Sequence, residues 1–322
     1  MIGEFLFNVL VFPGVLFSCA MAFWLQWLER KIVARVQKRI GPKFTGPSGL
    51  LQPIYDFLKL LSKEEILPEH VDKLYFRLAP ILAVAVPVFG MLFIPITGVK
   101  TMFNFEGDFL LILLLFSFSV FATATAGYAV FSPYTSVGVG RLVVQYSIYE
   151  SFMALSLVLA AFQASTLSIY GLLEYQMLKG PLVLYQPLGF AVAVLALIAK
   201  LEKPPFDLPH AKQEIAAGWL TEYSGRGLAF LKLYKDLSMV YGISILAVTY
   251  FAGPLGPMFS ANPTVMGLIY FGLKTLFIAL IIILIRSIAA RVRVYGLAEH
   301  FWIKAAPLVL FQMIIAFAAR WL

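Results

Sequence analysis

Eight runs of mostly apolar residues, each 19–25 long, recur along a chain of 322 residues. They lie at about 4–28, 74–97, 108–131, 143–165, 182–200, 228–252, 264–286 and 301–320. A helix needs about 20 such residues to cross the hydrocarbon layer of a bilayer. In lipid the backbone must satisfy its own N–H and C=O groups, which leaves helices or closed barrels. The runs are too long for barrel strands and do not alternate, so each is predicted to be a transmembrane helix. Composition agrees: 61% of residues are hydrophobic and 13% charged, against about 45–50% and about 25% in soluble domains. A water-soluble enzyme is thereby excluded. The predicted fold is an all-α integral membrane protein, one polytopic domain over 1–322, with eight transmembrane helices.

The charges orient it. With the N-terminus outside, the cytoplasmic regions are 29–77, 132–142, 200–235 and 286–304, holding ten, one, six and four Lys/Arg. That places 21 of the 25 basic residues inside, as cytoplasmic loops require. Lys100, Lys179 and Arg320 fall outside, and Lys274 falls within a span. Both termini are therefore predicted outside, in a multi-pass protein of the cell membrane. The net charge of +8 is explained by these loops, with no need for a nucleic-acid partner.

Single residue types narrow the chemistry. The one cysteine, Cys19, cannot build a disulfide, an iron–sulfur cluster or a Cys-based zinc site. His70, His210 and His300 all lie outside the apolar runs, which argues against a haem held between helices. Electrons, if any, are carried by other chains. The first apolar run ends in Trp24, Trp27, Glu29 and Arg30, not in a small-residue cleavage site.

Two cytoplasmic regions, about 29–73 and 200–227, are more than connectors. The first begins with the basic residues Arg30, Lys31, Arg35, Lys38 and Arg39, followed by Gly41-Pro42 and Gly46-Pro47. These cations suit lipid headgroups, a partner subunit or an anionic ligand. Next, Leu51, Ile54, Leu58 and Leu61 share one helical face, and Gln52, Asp56, Lys59 and Lys63 another. This spacing predicts a cytoplasmic amphipathic helix along the membrane surface or against a partner. The second region contains Pro204, Pro205 and Pro209 and four acids, Glu202, Asp207, Glu214 and Glu222. It reads either as a chain of carboxylates leading inward or as a solvated, partner-facing loop.

Two ionisable residues lie within spans. A carboxylate at membrane depth costs about 2.5–3.5 kcal/mol on insertion scales and usually faces a bundle interior or a proton path. Glu150 is such a residue. Lys274 has no acid within reach on its own helix, so it needs a partner elsewhere or must shed its proton. Both have structural readings as well: Glu150 paired near the interface with Arg141 or a tyrosine, Lys274 in an interhelical ion pair.

Taken in order, these residues resemble the membrane subunit of respiratory complex I that seats the hydrophilic arm, called subunit 1 or the H subunit, and its relatives in membrane-bound hydrogenases. The resemblance covers nearly the whole chain. It rests on Glu29-Arg30, Gln37-x-Arg39-x-Gly41-Pro42, and Gly46-Pro47 through Gln52-Pro53, Asp56, Lys59 and Lys63-Glu64. It continues through Arg141, Gln145 and Tyr149-Glu150. Most specific is Pro205-Phe206-Asp207-Leu208-Pro209, followed by Glu214 and Glu222-Tyr223-Ser224-Gly225. Lys274, Arg286, Arg291-x-Arg293, Trp302 and Lys304 complete it.

The resemblance implies a non-catalytic chain with no cofactor of its own. Its partners would be hydrophilic iron–sulfur and large catalytic subunits, carrying the clusters and any nickel–iron site, together with antiporter-like membrane subunits and lipid. Arg30, Arg35, Arg39, Asp56, Lys59, Arg291 and Arg293 would dock the arm. Glu202, Asp207, Glu214 and Glu222 would sense redox charge, and Glu150 and then Lys274 would carry the response to proton or sodium translocation. The Pro-rich 202–209 stretch is the candidate moving element.

Departures from the family pattern point within it. Acids that follow the PFDLP motif in quinone-reducing members are replaced by His210 and Lys212. The upstream Glu-x-x-Arg is lost around Lys200, Glu202 and Lys203, and Gly296 stands where an aspartate is usual. These losses favour the hydrogenase or sulfur-reductase relatives, and the three asparagines, Asn8, Asn104 and Asn262, suit a thermophilic archaeal source. The alternative is the quinone-binding subunit of an NADH- or ferredoxin-quinone oxidoreductase. A stand-alone ion transporter or a passive anchor fits the charge-rich loops less well.

Overall fold

The computed structural model describes residues 2–257 and 262–321. Among them the chain is helical throughout, and its one strand-like contact is the isolated bridge Val71–Val130. In chain order the helices are α1 (Ile2–Leu10), α2 (Val15–Val36), α3 (Gln52–Leu61), α4 (Lys73–Met91), α5 (Asp108–Tyr128), α6 (Pro133–Ala164), α7 (Ile169–Lys179), α8 (Pro187–Lys200), α9 (Lys212–Ile215), α10 (Gly225–Phe251), α11 (Pro263–Ile288), α12 (Val294–Ala298) and α13 (Ala306–Trp321). A π-helical turn, Glu299–Ala305, joins the last two.

Among the described residues six helical stretches are long and apolar enough to cross a membrane: Gly3–Val36, Lys73–Met91, Asp108–Tyr128, Pro133–Ala164, Pro263–Ile288 and Tyr295–Ala318. They correspond to six of the eight expected spans. The other two expected spans are also helices, but each departs from a simple crossing. Helix α8 has 14 residues, or about 21 Å at 1.5 Å per residue, short of the roughly 30 Å hydrocarbon layer. Helix α10 is long enough at 27 residues, but Lys232, Lys235 and Asp236 in its first half lower its mean hydropathy. It is nonetheless the axis of the bundle. From Leu231 to Tyr250 nearly every side chain is buried, against α2, α3, α4, α5, α8 and α11.

Two other expectations are corrected. The first apolar run is divided into α1 and α2, with Pro13 between them; proline supplies no N–H and crowds the preceding turn. The expected cytoplasmic loop 132–142 is instead the opening of α6, with Pro133 in its first turn, where a missing N–H is harmless.

The loops 37–51 and 201–224 gather at one end of the bundle, here termed the loop face. Helix α3 lies there as expected, but its faces are less cleanly divided. Pro53 is buried, Phe57 packs against Phe23 and Phe230, and Gln52 donates to Asp56 on the side of α2. Tyr55, Leu58 and Lys59 are exposed. Half of the polar face, Gln52 and Asp56, thus serves the protein, while Lys59 and Lys63 face outward with Leu58 of the apolar face.

The 201–224 segment is packed, not solvated. Leu201, Phe206, Leu208 and Trp219 are buried. Gln145 on α6 donates to the carbonyls of Ala199 (2.5 Å) and Phe206 (2.9 Å). The Val292 amide donates to the Pro205 carbonyl at 2.9 Å. Tyr223 stacks on Phe76 with ring centroids 4.2 Å apart and donates to the Ala126 carbonyl at 2.9 Å. The expected moving element, 202–209, is therefore held from two sides. Gly138 permits this packing: a Cβ there would sit 2.6 Å from the Trp219 amide nitrogen and 2.9 Å from the Gly218 carbonyl carbon. Because those neighbours are backbone, Gly138→Ala is expected to destabilise the protein by about 1–3 kcal/mol, measured as a lowered thermal midpoint in detergent.

Candidate functional site

The loop-face ends of α2, α8, α10 and α11 converge on charged side chains that an apolar bundle can hold only in matched sets. The first set is centred on Glu29 of α2, 4% exposed. Lys203 donates to both its oxygens, at 2.7 and 2.8 Å, and Arg286 of α11 donates to one of them. Burial pushes the Lys203 ammonium below its ordinary range, and the Glu29 charge opposes that shift.

The second set is centred on Glu202. His210 and Lys235 of α10 pair with one carboxylate oxygen, Lys235 at 3.2 Å, and the Trp219 indole N–H donates to the same oxygen at 3.2 Å. Burial would raise this carboxyl, but Lys235 and the His210 ring beside it outweigh that and hold the group at about 2. Asp207 lies in the same field and moves the other way, upward, because burial dominates over His210 and Lys235. Beside both sets, Gln26 of α2 donates to Asp236 of α10 at 2.7 Å.

Deeper in, Lys200 is 5% exposed at the end of α8. Its ammonium donates to the Phe116 carbonyl and sits 4.0 Å from the Phe116 ring centroid. It lies within electrostatic reach of both Glu202 and Glu150. Glu150 on α6 accepts from the Ser117 hydroxyl of α5, and its other oxygen is buried without a protein partner. Tyr146 and Tyr149 sit in its field, and the Tyr149 hydroxyl is likewise buried and unpartnered. Base and acid thus alternate from the loop face inward: Lys235 with His210, Glu202, Lys200, Glu150. Such a series can pass a proton or a charge displacement along itself without an isolated buried ion.

The remaining expected site residues divide. Glu214 is exposed and pairs with Arg141, with Arg291 at 3.9 Å; the Arg141 guanidinium holds its carboxyl below the usual range. Arg141 therefore serves Glu214, not Glu150. Glu222 is half-buried before α10, outside the two sets. Lys274 donates to the carbonyls of Gly253 (2.9 Å) and Leu255 (2.5 Å), just past the end of α10. Among the described residues it forms no ion pair, so it does not meet Glu150. Arg30 pairs with Asp56 at 2.6 Å, and burial of that carboxyl is outweighed by the Arg30 hydrogen bond, which lowers it. Arg35, Arg39, Lys59, Arg291 and Arg293 are exposed on the loop face.

Glu29, Lys200, Lys203, His210, Lys235 and Arg286 belong to the site but are not expected in it from the sequence. The signal for Lys200 is an ammonium closing an apolar run two residues before a glutamate, which reads equally well as a loop charge. His210 and Lys203 look like losses from the family pattern, yet each is wired to a buried acid here. They are therefore no sign of a dismantled site.

A cavity of about 290 Å³ opens between α2, α3 and α10. Phe23, Phe57 and Leu60 supply apolar wall, and Gln26, Arg30 and Asp56 supply polar groups. Among the described residues no three His, Cys, Asp or Glu side chains converge on a metal-sized site.

The Glu202 carboxyl, held below the ordinary 4.5 at about 2, favours folding wherever it is ionised in both states. That stabilisation is full above about pH 4.5 and is lost as pH falls toward 2. Glu202→Gln is expected to lower stability by about 3 kcal/mol at pH 7. The difference from the parent should shrink below about pH 4.5 in thermal unfolding of the purified protein.

Residues 8–317 match the family described as NADH dehydrogenase. The chain is 34% identical to the H subunit of NADH-quinone oxidoreductase from Thermomicrobium roseum, over 97% of this chain and 93% of that one. It is 33% identical to the H subunit from Methylococcus capsulatus, over 94% of each. It is 35% identical to the H subunit numbered 2 from Syntrophobacter fumaroxidans, over 92% of this chain and 90% of that one. These relatives are bacterial and are named for quinone, so the expected closeness to archaeal hydrogenase or sulfur-reductase subunits finds no support in them. The chain belongs to the NADH dehydrogenase subunit 1 family, the H subunits of NADH-quinone oxidoreductase, which are multi-pass membrane subunits of complex I.

Proposed function

We propose that this chain is the quinone-proximal coupling subunit of a complex I-type oxidoreductase. The observation that carries the reading is the alternating buried series Lys235, Glu202, Lys200, Glu150. It links the loop face to a carboxylate at membrane depth. The relatives named for NADH-quinone oxidoreductase favour quinone over a nickel–iron or sulfur-reducing centre as the redox partner.

On this reading the loop face is cytoplasmic, since basic residues gather there, and both termini lie outside. The hydrophilic arm, with its iron–sulfur clusters, docks on that face. Exposed Lys59, Arg291 and Arg293 are available to it. The α2–α3–α10 cavity is the entry for a quinone headgroup from the bilayer. Its aromatic wall suits a planar ring, and Gln26 and Arg30 offer donors to ring oxygens. A change of charge near the cavity acts first on Glu29, Asp236 and Glu202. Each is tied to a lysine, an arginine or an amide that must answer it. Lys200 then couples Glu202 to Glu150, from which neighbouring antiporter-like membrane subunits receive the response as proton or sodium movement.

Two measurements in the intact complex test this. Glu150→Gln is expected to keep electron transfer within about threefold of the parent while ion pumping falls at least tenfold, a loss of about 1.4 kcal/mol or more in the coupled step. Retained pumping removes Glu150 from the path and leaves a passive anchor. Electron transfer should require added quinone and be blocked by a quinone-site inhibitor. Inhibitor-insensitive reduction of protons or sulfur would restore the hydrogenase-type reading.

A further inference from the structure

We infer that Lys31, Arg35, Arg39 and Lys43 form a site for the phosphate headgroup of an anionic membrane lipid. The inference rests on the membrane reading of α2 and not on the coupling role proposed above. These four side chains line a cavity of about 370 Å³ at the loop-face end of α2, together with Gly41 and Ser48, and no carboxylate lines it.

The site is built by a chain reversal. Lys38 adopts a left-handed conformation, φ 56°. The Lys38 and Arg39 amides bond back to the carbonyls of Arg35 (3.1 Å) and Ala34 (2.8 Å). The following residues then lie against the end of α2. Gly41 allows this, since a Cβ there would stand 3.1 Å from the Lys31 Cα and 3.2 Å from the Arg30 carbonyl oxygen. Arg39 and Lys43 are thereby folded beside Lys31 and Arg35. Lys31 is fixed from below: it donates to the Ser48 carbonyl at 2.8 Å and lies 5.1 Å from the Trp27 ring centroid. Trp27 donates to the same carbonyl at 3.2 Å.

Charge balance singles out these four. The adjacent cations Arg30 and Arg286 are matched by Asp56 and Glu29. Among the described residues, Lys31, Arg35, Arg39 and Lys43 make no ion pair, so the cavity holds a concentrated positive field. Depth selects the ligand. Trp27, at the end of the first apolar run 4–28, marks the membrane interface, where tryptophans gather. Arg35, eight residues or about 12 Å further along α2, stands at headgroup level. Ile40 is 82% and Phe44 92% exposed beside the cations. A diacyl phospholipid satisfies both demands, phosphate to the cations and acyl chain to the apolar pair.

Each basic residue near an anionic surface is worth roughly fivefold in binding, so losing two weakens it about thirtyfold. The test uses the intact complex, delipidated and reloaded with phosphatidylglycerol or phosphatidylcholine, with retained lipid measured by native mass spectrometry. Wild type and the control Lys73→Gln/Arg77→Gln are expected to retain phosphatidylglycerol selectively. Arg35→Gln/Arg39→Gln should bind it about thirtyfold more weakly, and Lys43→Gln, which leaves α2 intact, about fivefold more weakly. Equal retention of both lipids by wild type overturns the proposal. So does displacement of the lipid by millimolar inorganic phosphate, which marks a free-anion site. Loss of the hydrophilic arm from the variants with lipid retention unchanged overturns it in favour of a protein contact.

Discussion

Everything at the loop face depends on the sharing of one buried carboxylate. Glu29 is taken out of water almost completely, and its charge is tolerable only because Lys203 and Arg286 reach it from different parts of the chain. An ion moved alone from water into a low-dielectric interior is penalised by several kcal/mol even after relaxation. The three groups therefore stand or fall together. Because Lys203 is in the 201–224 segment and Arg286 is near the end of α11, the pairing fastens that segment and α11 to the first long helix. The Glu202 set repeats the device a few residues away, fastening the same segment to α10.

This arrangement explains what is legible in the sequence. Six spans can be read because their residues face lipid or core and only rarely carry charge. Helix α10 is legible in position, yet its charges disguise how deeply it is buried. Lys235 is neutralised by Glu202 and Asp236 accepts a hydrogen bond from Gln26, partners far away in sequence. Local composition cannot register compensation of that kind. The start of α6 reads as a loop because Gly138, Gly140 and Arg141 look like punctuation. In the structure Gly138 is a contact surface and Arg141 a partner of Glu214.

The candidate site is half legible. Glu150 can be picked out as an acid in a costly place, Glu202 only as one of four acids in a proline-rich loop. The bases that answer them cannot, because Lys200 and Lys235 look like ordinary positive-inside charges until burial is known. Reading His210 and Lys203 as losses is a second consequence of treating positions one at a time. A carboxylate series and a mixed acid–base series can occupy the same corridor if each charge finds its counterpart. Lys274 is the opposite case: conspicuous by depth, yet bound to backbone carbonyls rather than to an acid.

That last contact gives α10 an unusual boundary condition. In the first half of the helix Lys235 is held by Glu202 and Asp236 by Gln26; just beyond its far end, Lys274 donates to the carbonyls of Gly253 and Leu255. A helix is stiff along its axis, and this one is also encased in side chains over most of its length. Both ties are made to groups outside the helix, one among buried charges and one to backbone. A neutral amine keeps two N–H donors, so the contact of Lys274 with these two carbonyls does not depend on its carrying a charge.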